Sequence, residues 1–306
     1  MLLILLLVAS ISFGSTVVNP LGIFESSFII HTLRLPRIII SLLTGGALGI
    51  AGLILQGVIR NPLASPDVIG ITGGSKVAAV LYLTIFASNK IIYLPIIAVT
   101  GALIAAIIIY LLTWKAGISP LKLVLIGIGV DSLLSAIVTM LIVYSPTYST
   151  SEAYIWMVGS VYGSNWKNVF ALLPWTITLV PLSVVFARKL SIQDLGDDIA
   201  KSSGLSVERN RLLMLLLSVF LAGTSIAFAG GISFVGLIAP HIAKRLINRS
   251  YISLIFLSFI IGAMLVVLSD LLARTVFLPL DIPVGVFVSG IGAPFFIYLL
   301  YKNRNL

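Results

Sequence analysis

Long apolar stretches alternate with short polar breaks along almost the whole chain. At 38–59 and 212–229 the apolar character runs on with no period-two alternation. A membrane-spanning strand alternates lipid-facing and lumen-facing residues, so this pattern selects helices over a barrel. A spanning helix needs about 20 mainly apolar residues. The breaks place ten such segments, at 1–18, 38–59, 67–86, 93–112, 120–143, 169–187, 212–229, 232–247, 252–277 and 284–301. The eighth is short, follows Gly230-Gly231 and contains Gly236 and Pro240. The first also resembles the apolar core of a signal peptide. No basic residue precedes it and Phe13-Gly14-Ser15 is a poor cleavage site, so it is assigned as a membrane helix. The expectation is an all-α polytopic membrane protein, a single domain over residues 1–306.

Composition supports that solvent. The chain is 59% hydrophobic and 9% charged, with a mean hydropathy of +1.17. A soluble domain carries about 25% charged residues, so the polar surface here is too small to cover a particle in water. There is no cysteine, which removes disulfides and thiolate metal sites. The net charge of +9 would suit nucleic acid, but the basic residues sit in short inter-helix breaks and read as a topology signal. With both termini cytoplasmic, Arg60, Lys115, Lys122, Arg188, Lys189, Lys201, Arg209, Arg211, Lys244, Arg245, Arg249, Lys302 and Arg304 lie inside; Arg34, Arg37, Lys90, Lys167 and Arg274 lie outside. Tyr144, Tyr148, Tyr154, Trp156, Tyr162 and Trp166 crowd the outer linker after the fifth segment, as an interfacial belt does.

Several features stand out from this background. Gly45-Gly46-Ala47-Leu48-Gly49-Ile50-Ala51-Gly52 makes a small-residue face for close helix packing. Pro62 and Pro66 end one helix and start the next, with Asp67 in the new first turn. The longest polar stretch, 190–211, mixes charge with an apolar side; a short amphipathic helix over 197–203, ended by Gly204, fits it. Either it is a solvated loop or it docks a soluble partner. Arg34, Arg37 and Arg274 oppose the inward charge bias, either snorkelling to headgroups or receiving a partner's carboxylates. Lys76 and Asp131 each lie about 10 residues into a helix, near mid-membrane at roughly 1.5 Å per residue. A lone charge there costs roughly 2.5–3.5 kcal/mol, so a Lys76–Asp131 salt bridge is expected.

Four blocks, in order, resemble the FecCD family of ABC-importer permeases, which carry iron–siderophores, haem and vitamin B12. They are Arg34-Leu35-Pro36-Arg37 through Arg60-Asn61-Pro62-Leu63-Ala64; Leu195-Gly196 with Ala200 and Gly204; Phe234-Val235-Gly236-Leu237-Ile238-Ala239-Pro240-His241; and Asp270-Leu271-Leu272-Ala273-Arg274 with Pro283-Val284-Gly285 and Gly292-Ala293-Pro294. The resemblance implies a type II ABC importer permease fold of about ten helices and two permease subunits with a path between them. It implies two cytoplasmic ATP-binding subunits, an extracytoplasmic substrate-binding protein and an iron–siderophore cargo, in the cytoplasmic membrane. It further implies that Arg34, Arg37 and Arg274 meet carboxylates of the binding protein. By the same resemblance Leu195, Gly196, Ala200 and Gly204 belong to the ATPase-coupling loop, and Pro120, Leu121 and Lys122 to the cytoplasmic gate. Haem and vitamin B12 stay open as cargo.

The chain departs from the family at Lys76 and Asp131, where small or apolar residues are usual, and at Asp281, where a glutamate is usual. No Gly-rich loop ending in Lys-Ser or Lys-Thr is present, so ATP is expected on the partner subunits, with no cofactor, metal or catalytic residue on this chain. An ion-coupled secondary transporter would use Lys76 and Asp131 as its coupling pair. An intramembrane enzyme would use His241 and Asp270, which the helix pattern places near opposite ends of their helices.

Overall fold

A computed structural model of the chain describes residues 1–14, 16–19, 28–67, 70–85, 93–113, 120–144, 147–247 and 250–302. Among them the regular structure is helical: α1 (Leu2–Ser12), α2 (Leu35–Ile59), α3 (Ile71–Ile85), α4 (Leu94–Thr113), α5 (Pro120–Val143) and α6 (Thr147–Val158). The rest is α7 (Trp166–Asp194), α8 (Asp197–Ser202), α9 (Val207–Ala229), α10 (Val235–Leu246), α11 (Tyr251–Ala273) and α12 (Val284–Lys302). A π-helical turn, Ile29–Arg34, runs directly into α2. Among the described residues, six helices are long and apolar enough to cross a bilayer: Ile29–Ile59, Leu94–Thr113, Lys122–Val143, Trp166–Asp194, Val207–Ala229 and Tyr251–Ala273.

The helix α2 is the axis of the bundle. It packs on α11, α9, α7 and α10, and none of its residues from Leu35 to Ile59 is exposed. A helix apolar on every side belongs inside. Its apolar window is 89% buried, against 17% for α5, which therefore lies at the periphery of the subunit. The glycine run explains how α2 reaches that position. A Cβ on Gly45 would collide with the Gly262 carbonyl, one on Gly49 with the Ser258 carbonyl, and one on Gly52 with the Gly236 backbone. Small residues let the backbones of α2, α11 and α10 touch.

Two helices, and the described part of a third, are too short to cross a bilayer. At about 1.5 Å per residue, the 11, 15 and 12 residues of α1, α3 and α10 fall short of a hydrocarbon core of about 30 Å. The expected span at 1–18 is thus shorter than the hydrophobic pattern suggests, with residues 13–18 irregular where described, and α3 begins at Ile71 while its far end borders residues outside the described ones. The linker after α5 holds an unexpected half-helix, α6. Its end returns into the protein, where Ser160 donates to the Ala229 carbonyl (2.8 Å), Gly231 to Trp156 (3.1 Å) and Gly285 to Gly159 (3.0 Å). Helix ends inside hydrocarbon need such partners, because water is absent there. Gly159, Gly230 and Phe234 make the reversals with φ of +94°, +71° and +66°.

The backbone seam gives a direct expectation. Gly52→Ala forces α2 off α10 and lowers stability by about 1–3 kcal/mol, read as a fall in the thermal midpoint in detergent. Gly290→Ala, at a position with no atom within 4 Å, leaves the midpoint unchanged.

Candidate functional site

Two charged clusters sit at opposite ends of α2. At its start, Pro36 in the first turn sets the helix and leaves Arg34 and Arg37 one turn apart. Arg37 is a hub. Its Nε donates to Asp270 Oδ1 at 2.6 Å, and its two terminal nitrogens donate end-on to the two Asp281 oxygens at 2.6 and 2.9 Å. Two parallel N–H···O bonds match the guanidinium fork to the carboxylate. Arg274 approaches the second Asp270 oxygen at 3.6 Å and also donates to Ser10. Burial lowers the pKa of the Arg274 guanidinium from its ordinary value, Asp270 opposing the shift, and it remains charged at any physiological pH. Arg34 donates to the carbonyls of Ile11, Ser12 and Thr16 at the end of α1. A cavity of about 470 Å³ opens beside this cluster, lined by Arg34, Arg37, Tyr162, Asn165, Arg274 and Asp281 among others.

The geometry corrects one expectation. Arg34, Arg37 and Arg274 do gather at one end of the molecule, as their separate sequence positions suggested. They are not free outward cations: they are 5, 8 and 7% exposed and turned onto internal partners. The end of α1 and the turn after α11 fold over them, and buried charge demands a counter-ion. Asp270 and Asp281 are the internal carboxylate partners that sequence reasoning missed. The i,i+4 spacing of Asp270 and Arg274 was the available signal. Asp270 therefore belongs to the arginines, while the ring of His241 packs edge-on against Phe295 at 5.6 Å.

The mid-membrane charges also differ from expectation. Ion pairs within 4.0 Å among the described residues do not include Lys76 with Asp131. Each charge serves a helix end instead. Asp131 faces the backbone amide of Gly73, in the first turn of α3, where a Cβ would strike the carboxylate. Asp67 accepts from Thr72 Oγ at 2.8 Å and from the Phe234 amide at 3.1 Å, where α10 begins. Lys76 lies over Gly231, where a Cβ would meet both its side chain and the Met157 carbonyl, and it feels both carboxylates. Anions at helix starts and a cation at a helix end match the backbone dipoles.

At the other end of α2, Arg60 closes the helix in the left-handed conformation, φ +54°. It pairs with Asp197 at 2.9 Å, and Arg211 holds the same carboxylate at 3.0 and 3.1 Å. The short amphipathic helix forms as α8, one residue shorter than expected, between Gly196 (φ +125°) and Gly204 (φ +78°). Ala200 is buried beneath it, while Leu195 and Ile199 are 66% and 48% exposed. Pro120 starts α5 and Lys122 is exposed beside it; the side chains of Pro120 and Leu121 lie outside the described residues, as do Lys90, Lys115 and Arg249.

The arginine–carboxylate cluster is testable by substitution. Asp270 is fully buried and Asp281 is 25% exposed at the side chain. Asp270→Asn removes the fully buried carboxylate that Arg37 and Arg274 share and costs about 3–5 kcal/mol, lowering the thermal midpoint more than Asp281→Asn does.

The chain is similar over its whole length to known proteins. It is 46% identical over 315 residues to the achromobactin transport system permease protein CbrC of Dickeya dadantii (strain 3937), covering 100% of this chain and 90% of the relative. It is 44% identical over 314 residues to the probable siderophore transport system permease protein YfhA of Bacillus subtilis (strain 168), covering 98% and 92%. Its fold matches a solved inward-facing conformation of a metal-chelate type ABC transporter with a TM-score of 0.87 at 29% identity, covering 98% of this chain and 96% of that one. The profile of the FecCD transport family matches residues 2–302. The chain belongs to the FecCD transport family.

Proposed function

We propose that the chain is one of two permease subunits of an ATP-driven importer that carries an iron(III)–siderophore chelate across the cytoplasmic membrane. The observation that carries this reading is the chain-long similarity to permeases named for siderophore, hydroxamate and ferric citrate transport. The charge distribution supports the orientation: the Arg60–Asp197–Arg211 end faces the cytoplasm, with both termini on that side. The cargo passes unchanged along the interface between the two permease subunits.

A loaded binding protein docks over the cavity beside Arg34, Arg37 and Arg274. Because these arginines already have carboxylate or carbonyl partners, docking proceeds by exchange, and the partly exposed Asp281 is the internal carboxylate that a partner's carboxylate displaces. Two ATP-binding subunits seat on the loop of Leu195, Gly196, Ala200 and Gly204, where exposed Leu195 and Ile199 need cover. Pro120, Leu121 and Lys122 stand at the inner gate.

A strain lacking this permease regains uptake of radiolabelled iron–siderophore when the gene is restored, and only while the ATP-binding partner is active. Uptake that survives loss of that partner and collapses with the ion gradient would identify a secondary transporter instead. Restored uptake of haem or cobalamin, with no uptake of iron chelate, would reassign the cargo.

A further inference from the structure

The structure assigns to Arg60 and Asp197 the joint through which α8 drives α2, an inference that rests on the reading of α8 as the ATPase contact. The six-residue α8 packs on α7 and α9. Its tie to α2 is made by side chains: the Arg60 guanidinium lies against Gly196 and on the Asp197 carboxylate. Asp197 is shared. One oxygen receives both Arg60 and Arg211, so a single carboxylate on the first turn of α8 links the last residue of α2 to the first turns of α9.

The two arginines are unequal partners. Arg211 is 2% exposed at the side chain and also has Glu208 at 3.7 Å, so it fixes α8 to α9 from within. Arg60 is 32% exposed and Asp197 33%, so their pair can open and close at the surface without stranding a buried charge. Beyond Arg60, α2 is a buried rod that ends at Arg37 and the outer cavity. A push on α8 therefore reaches the outer arginine cluster through Arg60, and the Arg60 pair is a positioning contact that acts through α2.

The test uses the assembled transporter in proteoliposomes and reads cargo moved per ATP hydrolysed. Arg60→Met leaves the Arg211–Asp197 pair intact and cuts only the link to α2. The ATPase rate is retained while cargo per ATP falls about tenfold, the size of a typical coupling energy between sites. Arg60→Lys, which keeps the charge, restores most of the ratio. An unchanged ratio in Arg60→Met overturns the inference, as does a fall of ATPase and uptake by the same factor, which a merely structural role produces. Ile199→Cys, labelled with a photoreactive probe in this cysteine-free chain, crosslinks to the ATP-binding subunit. Failure of that crosslink removes the α8 contact itself, and with it the joint, while a positive crosslink with an unchanged ratio removes the joint alone.

Discussion

The approach of α2 to α11 and α10 at backbone contact distance is the constraint on which the rest of the subunit depends. Glycine faces glycine at Gly45 and Gly262, and again at Gly52 and Gly236, so no side chain separates the axes. Lipid tails are as apolar as leucine, and helices in a membrane gain cohesion by such close packing rather than by leaving water. With α2 held on all sides, its two ends become fixed points. The arginines at those ends are placed by the seam, one cluster on each side of the bundle. The same device recurs between α3 and α4, where Gly74 and Gly101 face each other.

A second constraint follows from the partial helices. Helices α3, α6 and α10 start or stop inside the bundle, which leaves backbone amides and carbonyls without water. The protein answers with charges and with crossed backbone bonds. Asp67 and Asp131 meet the starts of α10 and α3, and Lys76 meets the end of α6. Irregular backbone at this depth is tolerated only where protein covers it. The three charges are thus explained by local geometry, with no need for a direct Lys76–Asp131 contact.

Much of the bundle was legible in the sequence, and the reason differs from element to element. The glycine run of α2 announced close packing because only small residues permit it. The helix α8 was legible from the apolar side of Leu195, Ile199 and Ala200 and from its terminating Gly204. The half-helix α6 was not, since Thr147-Tyr148-Ser149-Thr150-Ser151-Glu152 carries no apolar run. The depth of Lys76 and Asp131 follows from counting residues, but their azimuth depends on how α3 and α5 rotate against neighbours. The gathering of Arg34, Arg37 and Arg274 was expected, while their partners were not. Asp281 lies 244 residues from Arg37, and no local pattern spans that distance.

That separation has a consequence for biosynthesis. The carboxylate of Asp270 is made 233 residues after the Arg37 it neutralises. At about 5–20 residues per second, roughly 10–50 s pass between the two. During that interval the Arg37 guanidinium lacks Asp270, and Gly45 of the seam lacks Gly262. The chain must hold Arg37 at the membrane surface while α3 to α10 are laid down. The buried pairing of Arg37 with Asp270 is therefore complete only once α11 has been made.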